Sequence, residues 1–532
     1  MDTPAGGHAP GHHPGHGHAA QGPGLSREPG RRAGPHGTPA GPDPGPGHRP
    51  GRRILRRGLL PPGGGGPRGP RGTLSARGRA LGPPRGRPGV RLTLVAAHFP
   101  PHFLGGTEQV VLAQARELSR RGVEVRVVAG TDRPAVPGED CWRENVAGIP
   151  VTFLPRLPAE VGPGEGGRER LRPLLARELA GSDIVHVHGT STLTQTLVRD
   201  AARDGTRPRP VIYSIHDHFP ACPRSFRWRG DGEACPELPA EGECASCLAP
   251  ELGLASGLDG PADERGTGRN GALDKLAAAL GRRRRAAQEE VDAAALVTVP
   301  SFAHRLSLGR HLNLRRAELM VIPPGLCLAL PNLHPRPSLF RAGSGEPLRV
   351  LHFGNLCAAK GTLDLARALG MLPAGSARLV LAGHGLDLDL GRRLVAGAPG
   401  LPVDIYGAYD GAALERIAAD CHLAAFPSRL EESFGLVVDE ALALGMVTWV
   451  SDRGAPQDRI GAAGRVLPAE DPAAWGAAFA GLLAESPGAE LATERAAVPK
   501  ETFDAADAAE EWLSVYRSLL RSAPSGRSRL TG

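Results

Sequence analysis

Two glutamates in the C-terminal part of the chain have a spacing that suits an anionic ligand with hydroxyl groups. Within Glu431–Gly445, seven residues separate Glu432 from Glu440. The apolar pattern predicts a helix that starts near Phe434, with one carboxylate just before it and the other in its second turn. The free N–H groups at a helix N-terminus bind phosphate, and carboxylates accept hydrogen bonds from hydroxyl groups. The segment therefore predicts a phosphate site flanked by two hydroxyl-binding carboxylates.

The predicted helix start would itself supply the anion-binding groups. We expect the N–H groups of Phe434, Gly435 and Leu436 to face phosphate oxygens, and Gly435 lets a phosphate approach the backbone closely. This combination is typical of a nucleotide-sugar site. The alternative is an ordinary amphipathic helix with solvated acids.

A lysine in a second strand-to-helix loop could bind the same phosphates. Lys360 lies near the end of Phe353–Gly361, and it is one of only three lysines in the chain, against 60 arginines. A compact ammonium charge in such a loop suits a diphosphate. A surface lysine beside a helix is the alternative.

Alternating strand and helix patterns must position these groups. Leu92–Ala96 predicts a buried strand, a helix capped by Thr107 follows and ends at Gly122, and Val123–Ala129 predicts the next strand. Further predicted strands are Ile149–Phe153, Ile184–His188, Val211–Ile215, Val297–Val299, Met320–Ile322, Leu348–Phe353, Arg378–Ala382, Val403–Tyr406, Leu423–Phe426 and Thr448–Val450. A Pro/Gly-rich stretch over 330–346 separates two sets of strands, which predicts two successive αβ domains with parallel sheets.

Composition divides the chain differently. Residues 1–90 hold 25 Gly, 18 Pro and 14 Arg but only three acids, so they carry +11, and the other 442 residues carry −4. So few large apolar side chains cannot offset the entropy cost of ordering, and we expect residues 1–89 to be disordered. The acidic remainder disfavours nucleic acid as a partner. The lack of long apolar runs predicts no membrane span or signal peptide, and eight cysteines in such a chain favour the cytoplasm.

Seven ordered segments resemble the glycosyltransferase family 4 proteins, which are retaining nucleotide-sugar transferases. The segments are Phe99–Glu108, Asp183–Gly189, Tyr213–Asp217, the pair Val299–Ser301 with Val321–Gly325, Phe353–Gly361, Leu381–Gly385 and Phe426–Gly445. The resemblance implies the α/β GT-B fold, in which two facing Rossmann-like domains enclose a ligand cleft. We therefore expect an acceptor domain over 90–335, a donor domain over 345–505 and a C-terminal helix over 506–522.

The resemblance also implies roles for individual residues. Glu440 would bind the ribose hydroxyls, Glu432 the hydroxyls of the transferred sugar, and Lys360 the diphosphate. His216 would lie near the reacting carbon, and His186 and His188 lie on a neighbouring predicted strand, where we expect at most one of them to point into the cleft. The backbone groups expected to approach the donor are those of Gly105, Gly106, Gly354, Phe434, Gly435 and Leu436. The family usually has Arg where Asn355 stands, so the expected donor site lacks one positive charge.

The implied reaction moves a sugar from a UDP- or GDP-sugar to a glycan or lipid-linked acceptor, as in polysaccharide or glycolipid biosynthesis. The class is that of hexosyltransferases, and no catalytic metal is expected. Such a protein would be cytoplasmic, with contact at the inner face of the membrane left open. Two alternatives share the architecture: a degenerate nucleotide-sugar-binding protein, which Asn355 favours, and a nucleotide-sugar epimerase.

Four cysteines form a separate cluster in a predicted insertion over 222–247. They are Cys222, Cys235, Cys244 and Cys247, and the last two have the two-residue gap that zinc sites favour. A structural zinc site and four unliganded thiols both fit this pattern. The run Arg282–Arg285 is interpreted as a solvated helix face, with anionic lipid or a diphosphate-linked acceptor as the alternative.

Overall fold

The structure is a computed structural model of the 532-residue chain. It describes residues 89–131, 141–155, 165–191, 193, 196–204, 208–230, 232–235, 239–252, 269–315, 318–333, 337–484 and 489–522. All of these belong to one compact unit that spans Arg85–Gly532. The tail predicted to be disordered lies outside the described residues, except for Gly89.

The first half of the described chain builds an eight-stranded sheet, here called the N-terminal sheet. Its strands follow the order β3-β4-β2-β1-β5-β6-β7-β8, and every pair is parallel except the β3/β4 hairpin. The strands are β1 (Arg91–Ala96), β2 (Glu124–Thr131), β3 (Trp142–Val146), β4 (Ile149–Pro155), β5 (Ile184–Val187), β6 (Val211–Ser214), β7 (Leu296–Val299) and β8 (Leu319–Val321).

The second half builds the C-terminal sheet, which is parallel throughout. Its order is β11-β10-β9-β12-β13-β14. Its strands are β9 (Leu348–Asn355), β10 (Ala377–His384), β11 (Val403–Ile405), β12 (Leu423–Phe426), β13 (Val447–Ser451) and β14 (Val466–Leu467). The sequence patterns missed β3 and β14, because β3 is a half-exposed edge strand and β14 has only two residues.

Helices connect the strands and cover the sheets. Those of the first half are α1 (Gly106–Arg120), α2 (Glu165–Leu179), α3 (Leu197–Arg203), α4 (Glu241–Leu248), α5 (Arg269–Ala293) and α6 (Phe302–Leu308). Those of the second half are α7 (Thr362–Gly370), α8 (Leu388–Gly397), α9 (Gly411–Ala419), α10 (Leu436–Ala443), α11 (Pro456–Arg459), α12 (Pro472–Ala484), α13 (Ala489–Ala496) and α14 (Ala505–Ser522). None of the described helices is long and apolar enough to cross a membrane.

The last helix, α14, returns to the N-terminal sheet. Its buried face includes Trp512, Leu513 and Tyr516, which pack into the same core cluster as β1, β2 and α1. The amphipathic pattern of this segment predicts that it packs on a core, and only the structure shows that the core is the N-terminal one. The end of the chain therefore ties the second half to the first.

Glycines allow close approach where strands of the C-terminal sheet lead into helices. A Cβ atom on Gly361 would lie 1.9 Å from the carbonyl oxygen of Pro427, and the φ angle of Gly361 is +77°. Only glycine combines that conformation with that contact. The loop after β9 and the loop after β12 are thereby brought together at the carboxyl edge of the sheet.

Candidate active site

Lys360 and Glu432 meet at the carboxyl edge of the C-terminal sheet. Lys360 ends a single 3₁₀ turn after β9, and Glu432 lies in the loop between β12 and α10. Lys360 Nζ is 2.5 Å from Glu432 Oε1, and Ser428 Oγ donates a hydrogen bond to the same oxygen at 2.7 Å. An ammonium group has three donors, so Lys360 can hold this carboxylate and a phosphate together. The structure thus joins two residues that lie 72 positions apart.

Glu440 lies on α10 and is buried, with 4% of the residue exposed. Its Oε2 atom has no hydrogen-bond partner in the described part of the chain. Burial without a cation nearby disfavours the charged form and raises the pKa of Glu440 to about 7. A buried carboxylate with an unused oxygen is suited to bind a ligand's hydroxyl groups.

Helix α10 begins at Leu436, two residues later than predicted. Gly435 is its N-cap residue and has a left-handed φ of +80°, so the regular helical backbone starts only after it. The side chain of Phe434 is buried under the guanidinium of Arg459, which lies 3.6 Å from the ring centroid. Val438 N, in the first turn, donates to the carbonyl oxygen of Gly435 at 3.0 Å. The N–H groups that precede it at a helix N-terminus have no acceptor within the helix and can bind an anion.

Two glycine positions lie against the first turn of α10. A Cβ atom on Gly106 would be 3.4 Å from Leu436 Cδ1, and one on Gly354 would be 2.9 Å from Val437 Cγ1. The loop before α1 and the end of β9 therefore both approach α10. Gly105 is the N-cap residue of α1, in place of the predicted Thr107, and its N–H donates to Glu108 at 3.0 Å.

Asn355 ends strand β9 and lies beside the loop after β10. A Cβ atom on Gly385 would lie 2.7 Å from Asn355 Oδ1. The amide side chain is neutral, so this position adds no positive charge to the carboxyl edge of the sheet.

His216 follows β6 at the carboxyl edge of the N-terminal sheet. Its Nε2 atom is 2.8 Å from Nδ1 of His188, so the two imidazoles share a hydrogen bond. Burial lowers the pKa of His216 to about 4 and lowers that of His188 well below its usual range. Both rings are therefore neutral near pH 7, and His188 fixes the orientation of His216.

The neighbouring His186 has a structural environment. It contacts Tyr516 OH at 2.8 Å and Ser214 Oγ at 2.6 Å, and it is fully buried. Of the two histidines on β5 and its extension, His188 alone contacts His216. The sequence signal for His188 as a site residue was its location directly after a strand. Its contact with His216 became visible only in the structure.

The two halves are in contact beside Glu432. Arg227 Nη1 donates to Glu431 Oε2 at 2.8 Å, and His218 Nε2 lies 3.3 Å from the carbonyl oxygen of Glu431. Ser301 Oγ donates to the carbonyl oxygen of Ser433 at 2.6 Å. Sequence patterns missed all three residues, because their partners are more than 100 positions away. Residues on both sides of Glu432 are thus held by the N-terminal half.

The four clustered cysteines line one pocket in the insertion, together with Arg224 and Trp228. All four are free thiols, and Arg284 Nη2 lies 3.3 Å from Cys244 Sγ. Among the described residues, no group of three or more His, Cys, Asp or Glu side chains has the arrangement of a metal site. The zinc site therefore remains a prediction.

The interpretation of Arg282–Arg285 as a solvated face is wrong for its two central residues. Arg283 lies over the ring of Phe219 at 4.2 Å and donates to the carbonyl oxygens of Phe219 and Pro220. Arg284 donates to the carbonyl oxygen of Pro239 and to Glu241. Arg284 attaches the Cys-rich insertion to α5, and Arg283 attaches the segment just before it.

Comparison with known proteins matches each half to a family model. The model described as Glycosyltransferase Family 4 matches residues 104–330, and the model described as Glycosyl transferases group 1 matches residues 347–485. Together they cover more than half of the chain, in the order of the two sheets. No curated protein sequence matches the chain.

Solved structures share the fold at low sequence identity. Anabaena HepE in complex with UDP and glucose is 18% identical, with 80% of this chain and 99% of that chain covered and a TM-score of 0.51. Sucrose-phosphate synthase from Thermosynechococcus elongatus is 18% identical, with 82% and 100% covered and a TM-score of 0.50. The catalytic domain of starch synthase IV from Arabidopsis thaliana, bound to ADP and acarbose, is 16% identical, with 82% and 100% covered and a TM-score of 0.51.

These likenesses concern the fold alone, whereas the family matches concern the sequence. Both halves match glycosyltransferase models, and the two parallel sheets have the expected GT-B architecture. The chain therefore belongs to the family 4 type of glycosyltransferases, with the GT-B fold.

Proposed function

We propose that this protein is a retaining glycosyltransferase that moves a hexosyl group from a UDP- or GDP-sugar to a glycan or lipid-linked acceptor. The observation that carries the proposal is the ion pair of Lys360 and Glu432 just before α10, together with the buried Glu440 on that helix. A nucleotide-sugar needs cationic and N–H donors for its diphosphate, and acceptors for its ribose and sugar hydroxyls. The complex of HepE with UDP and glucose supports the same class of donor.

Each group has one role in the proposed donor complex. Lys360 binds the diphosphate together with backbone N–H groups, which are those of Phe434, Gly435 and Leu436. The backbone of three glycines lies close by, namely that of Gly354, Gly105 and Gly106. Asn355 is a neutral neighbour of the diphosphate. Glu440 uses its unpartnered oxygen to accept hydrogen bonds from the ribose hydroxyls. Glu432 accepts hydrogen bonds from the transferred sugar. The donor domain then corresponds to residues 345–505 and the acceptor domain to residues 90–335, with 506–522 as the connecting helix.

The proposed chemistry relies on stabilising the leaving group. Breaking the bond between the sugar carbon and the β-phosphate oxygen builds negative charge on that oxygen and positive charge on the sugar. Lys360 and the dipole of α10 stabilise the phosphate charge. The acceptor hydroxyl attacks the same face of the sugar that the phosphate leaves, and the departing phosphate takes the acceptor proton. The configuration at the sugar carbon is thereby retained.

His216 is proposed to orient the sugar rather than attack it. Its pKa of about 4 keeps the imidazole neutral near pH 7, and His188 holds one of its ring nitrogens. The other nitrogen is then available for a hydroxyl group of the sugar. A lipid-linked acceptor would bring the protein to the inner face of the membrane, in a cytoplasmic step of polysaccharide or glycolipid assembly.

A donor screen tests the proposal. The purified protein is mixed with a panel of UDP- and GDP-sugars, and thermal stabilisation and release of nucleoside diphosphate are measured. We expect at least one donor to raise the melting temperature and to be turned over, because binding to the native state stabilises it. Inversion at the sugar carbon in the product would contradict the retaining mechanism. No binding and no turnover with any donor would contradict the proposed function.

A degenerate sugar-nucleotide-binding protein is the second candidate, and Asn355 favours it because one phosphate-binding charge is missing. Its signature in the same screen is donor binding without release of nucleoside diphosphate. An epimerase would instead need no acceptor: it would convert the donor into the epimeric nucleotide-sugar or, if water takes the sugar, into nucleoside diphosphate and the epimeric free sugar. For the Cys-rich pocket, one equivalent of zinc per purified chain would support a structural metal, and its absence would reject one.

A further inference from the structure

A buried arginine of the Cys-rich insertion holds the loop that carries Glu432. Only 5% of the Arg227 side chain is exposed, and its Nη1 atom donates to Glu431 Oε2 at 2.8 Å. The same nitrogen lies 3.3 Å from Ser307 Oγ. A guanidinium this deeply buried needs a charged partner, because an unpaired buried charge is strongly destabilising. The contact with Glu431 is therefore a specific feature of the packed halves.

The backbone at Arg227 is constrained as well. Its φ angle is +51°, and that of Ser225 is +65°, so two non-glycine residues in one short turn are left-handed. Such conformations persist only where the surrounding structure enforces them. The carbonyl oxygen of Arg227 accepts a hydrogen bond from Cys235 N at 3.0 Å, within the same insertion. The insertion therefore presents this guanidinium from a fixed position.

Two other residues of the N-terminal half hold the same loop. Ser301 Oγ donates to Ser433 O at 2.6 Å, and His218 lies 3.3 Å from Glu431 O. On the opposite side, the carbonyl oxygen of Glu432 accepts a hydrogen bond from Ala455 N at 2.9 Å. The backbone on both sides of Glu432 is thus held by the first half, and Glu432 itself is held by the second.

We propose that Arg227 is a positioning residue, which through its ion pair with Glu431 sets the orientation of Glu432 for sugar transfer. The inference rests on the proposed function, since it assigns the Glu432 carboxylate to the transferred sugar. Arg227 itself touches neither the donor nor the reacting atoms. The Cys-rich insertion thereby takes part in the donor site of the other half.

A positioning role and a merely structural role of Arg227 predict different effects on the binding of two ligands, the sugar and the nucleoside diphosphate. The ribose and diphosphate are assigned to Glu440, Lys360 and α10, whereas the sugar is assigned to Glu432. Loosening the Glu431–Ser433 loop should therefore weaken recognition of the sugar part and slow transfer, while the nucleoside diphosphate still binds. A general loss of folding would weaken both ligands together.

The experiment compares Arg227→Gln, Arg227→Lys and Glu431→Gln in the full chain, with the donor that the wild-type protein turns over. We expect Arg227→Gln and Glu431→Gln to lower kcat about ten- to a hundredfold, and to change the Kd of the nucleoside diphosphate less than about twofold. Arg227→Lys should keep part of the activity, because it retains the charge but loses the fork of donors. Arg305→Gln is the matched control, since Arg305 is an exposed arginine on nearby α6, and it should have wild-type kinetics.

A double-mutant cycle completes the test. Arg227→Gln combined with Glu431→Gln should be no slower than Glu431→Gln alone, because that variant already removes the carboxylate charge that pairs with Arg227 and with Arg310, 3.5 Å away. Wild-type kcat in Arg227→Gln, or equal weakening of donor and nucleoside diphosphate in both single variants, would overturn the positioning role while leaving the proposed function intact. A wild-type protein that binds no donor and turns none over would overturn both.

Discussion

The two halves of the site are built in different ways. In the C-terminal half, one continuous segment contains Glu432, Glu440 and the start of α10. Lys360 comes from another segment and forms an ion pair with Glu432. In the N-terminal half, His188 and His216 come from the ends of two strands and are neutral because they are buried. In the proposed donor complex, one half supplies charges for a polar ligand, and the other supplies uncharged groups whose orientation is set by hydrogen bonds.

This difference indicates how the work is divided in the proposed reaction. Charge is placed where the phosphate must be held and stabilised, and neutral donors and acceptors are placed where the sugar must be oriented. Removing a charge from the C-terminal half should therefore cost more than removing an orienting group from the N-terminal half. Five predictions follow, of which the kinetic ones at Lys360, Glu440 and His188 test that ranking.

The largest effect is expected for Lys360→Gln. Loss of the ammonium removes stabilisation of the leaving phosphate and frees the Glu432 carboxylate, so kcat should fall about 10²- to 10³-fold. Steady-state kinetics with the preferred donor measures this, and Lys500→Gln, at an exposed position, is the matched control. If kcat falls no further in Lys360→Gln than in His188→Ala, the proposed difference between the two halves is wrong.

Glu440→Gln is expected to raise the donor KM about ten- to a hundredfold with a smaller change in kcat, because a carboxylate–hydroxyl bond is replaced by a weaker amide contact. Glu511→Gln, at an exposed position on α14, should leave KM unchanged. An unaltered donor KM in Glu440→Gln would show that the ribose assignment is wrong.

The same variant also has a pH signature without donor. The folded-state pKa of Glu440 is about 7, against 4.5 for an unperturbed glutamate, so the wild-type protein loses stability as the pH rises through this window. Glutamine mimics the neutral form and avoids that loss, which is on the order of 3 kcal/mol at most. The melting temperature of the variant relative to wild type should increase from about pH 5 to about pH 8. A constant difference would contradict the burial of a raised-pKa carboxyl group.

His188→Ala is expected to lower kcat about tenfold, because His216 loses the partner that fixes its ring. His188→Gln should restore part of the activity, since an amide can replace the hydrogen bond. With a pKa of about 4, His216 should add no inflection to the kcat profile between about pH 6 and pH 8. An inflection in that range that disappears in His216→Ala would contradict a neutral imidazole.

The smallest effect is expected for deletion of residues 1–88. All candidate site residues lie beyond this segment, so kcat and donor KM should change less than about twofold. Kinetics of the shortened and full chains under the same conditions measures this. Loss of active protein on deletion would show that the basic tail contributes to the folded part.

Much of the C-terminal half of the site could be predicted, because local sequence patterns report local geometry. The Glu432…Glu440 spacing, the glycine before α10 and the lysine after β9 are all visible in short segments. The start of α10 was displaced by two residues, because the left-handed Gly435 and the Arg459 contact with Phe434 could not be read from the apolar pattern. The strand missed at β3 belongs to an exposed hairpin, where alternation of polar and apolar residues is weak.

The contacts across the halves could not be predicted. Arg227 and Glu431 are 204 residues apart, and nothing in either segment identifies the other as its partner. The same holds for His188 and His216, which are neighbours only because β5 pairs with β6. The contacts of Arg283 with Phe219 and of Arg284 with Pro239 contradict the local charge pattern, since charge runs are usually solvated.

The sequence by itself determined the fold class, the order of the two sheets and the charged residues proposed to bind the donor, since these depend on periodicity and on short spacings. The tertiary structure decided which core receives the last helix, which histidines share a hydrogen bond and how the Cys-rich insertion reaches Glu431. Those properties depend on strand order and on packing between segments far apart in the chain. Burial then sets the protonation of Glu440 and His216, because it is the surrounding protein that removes water from each group.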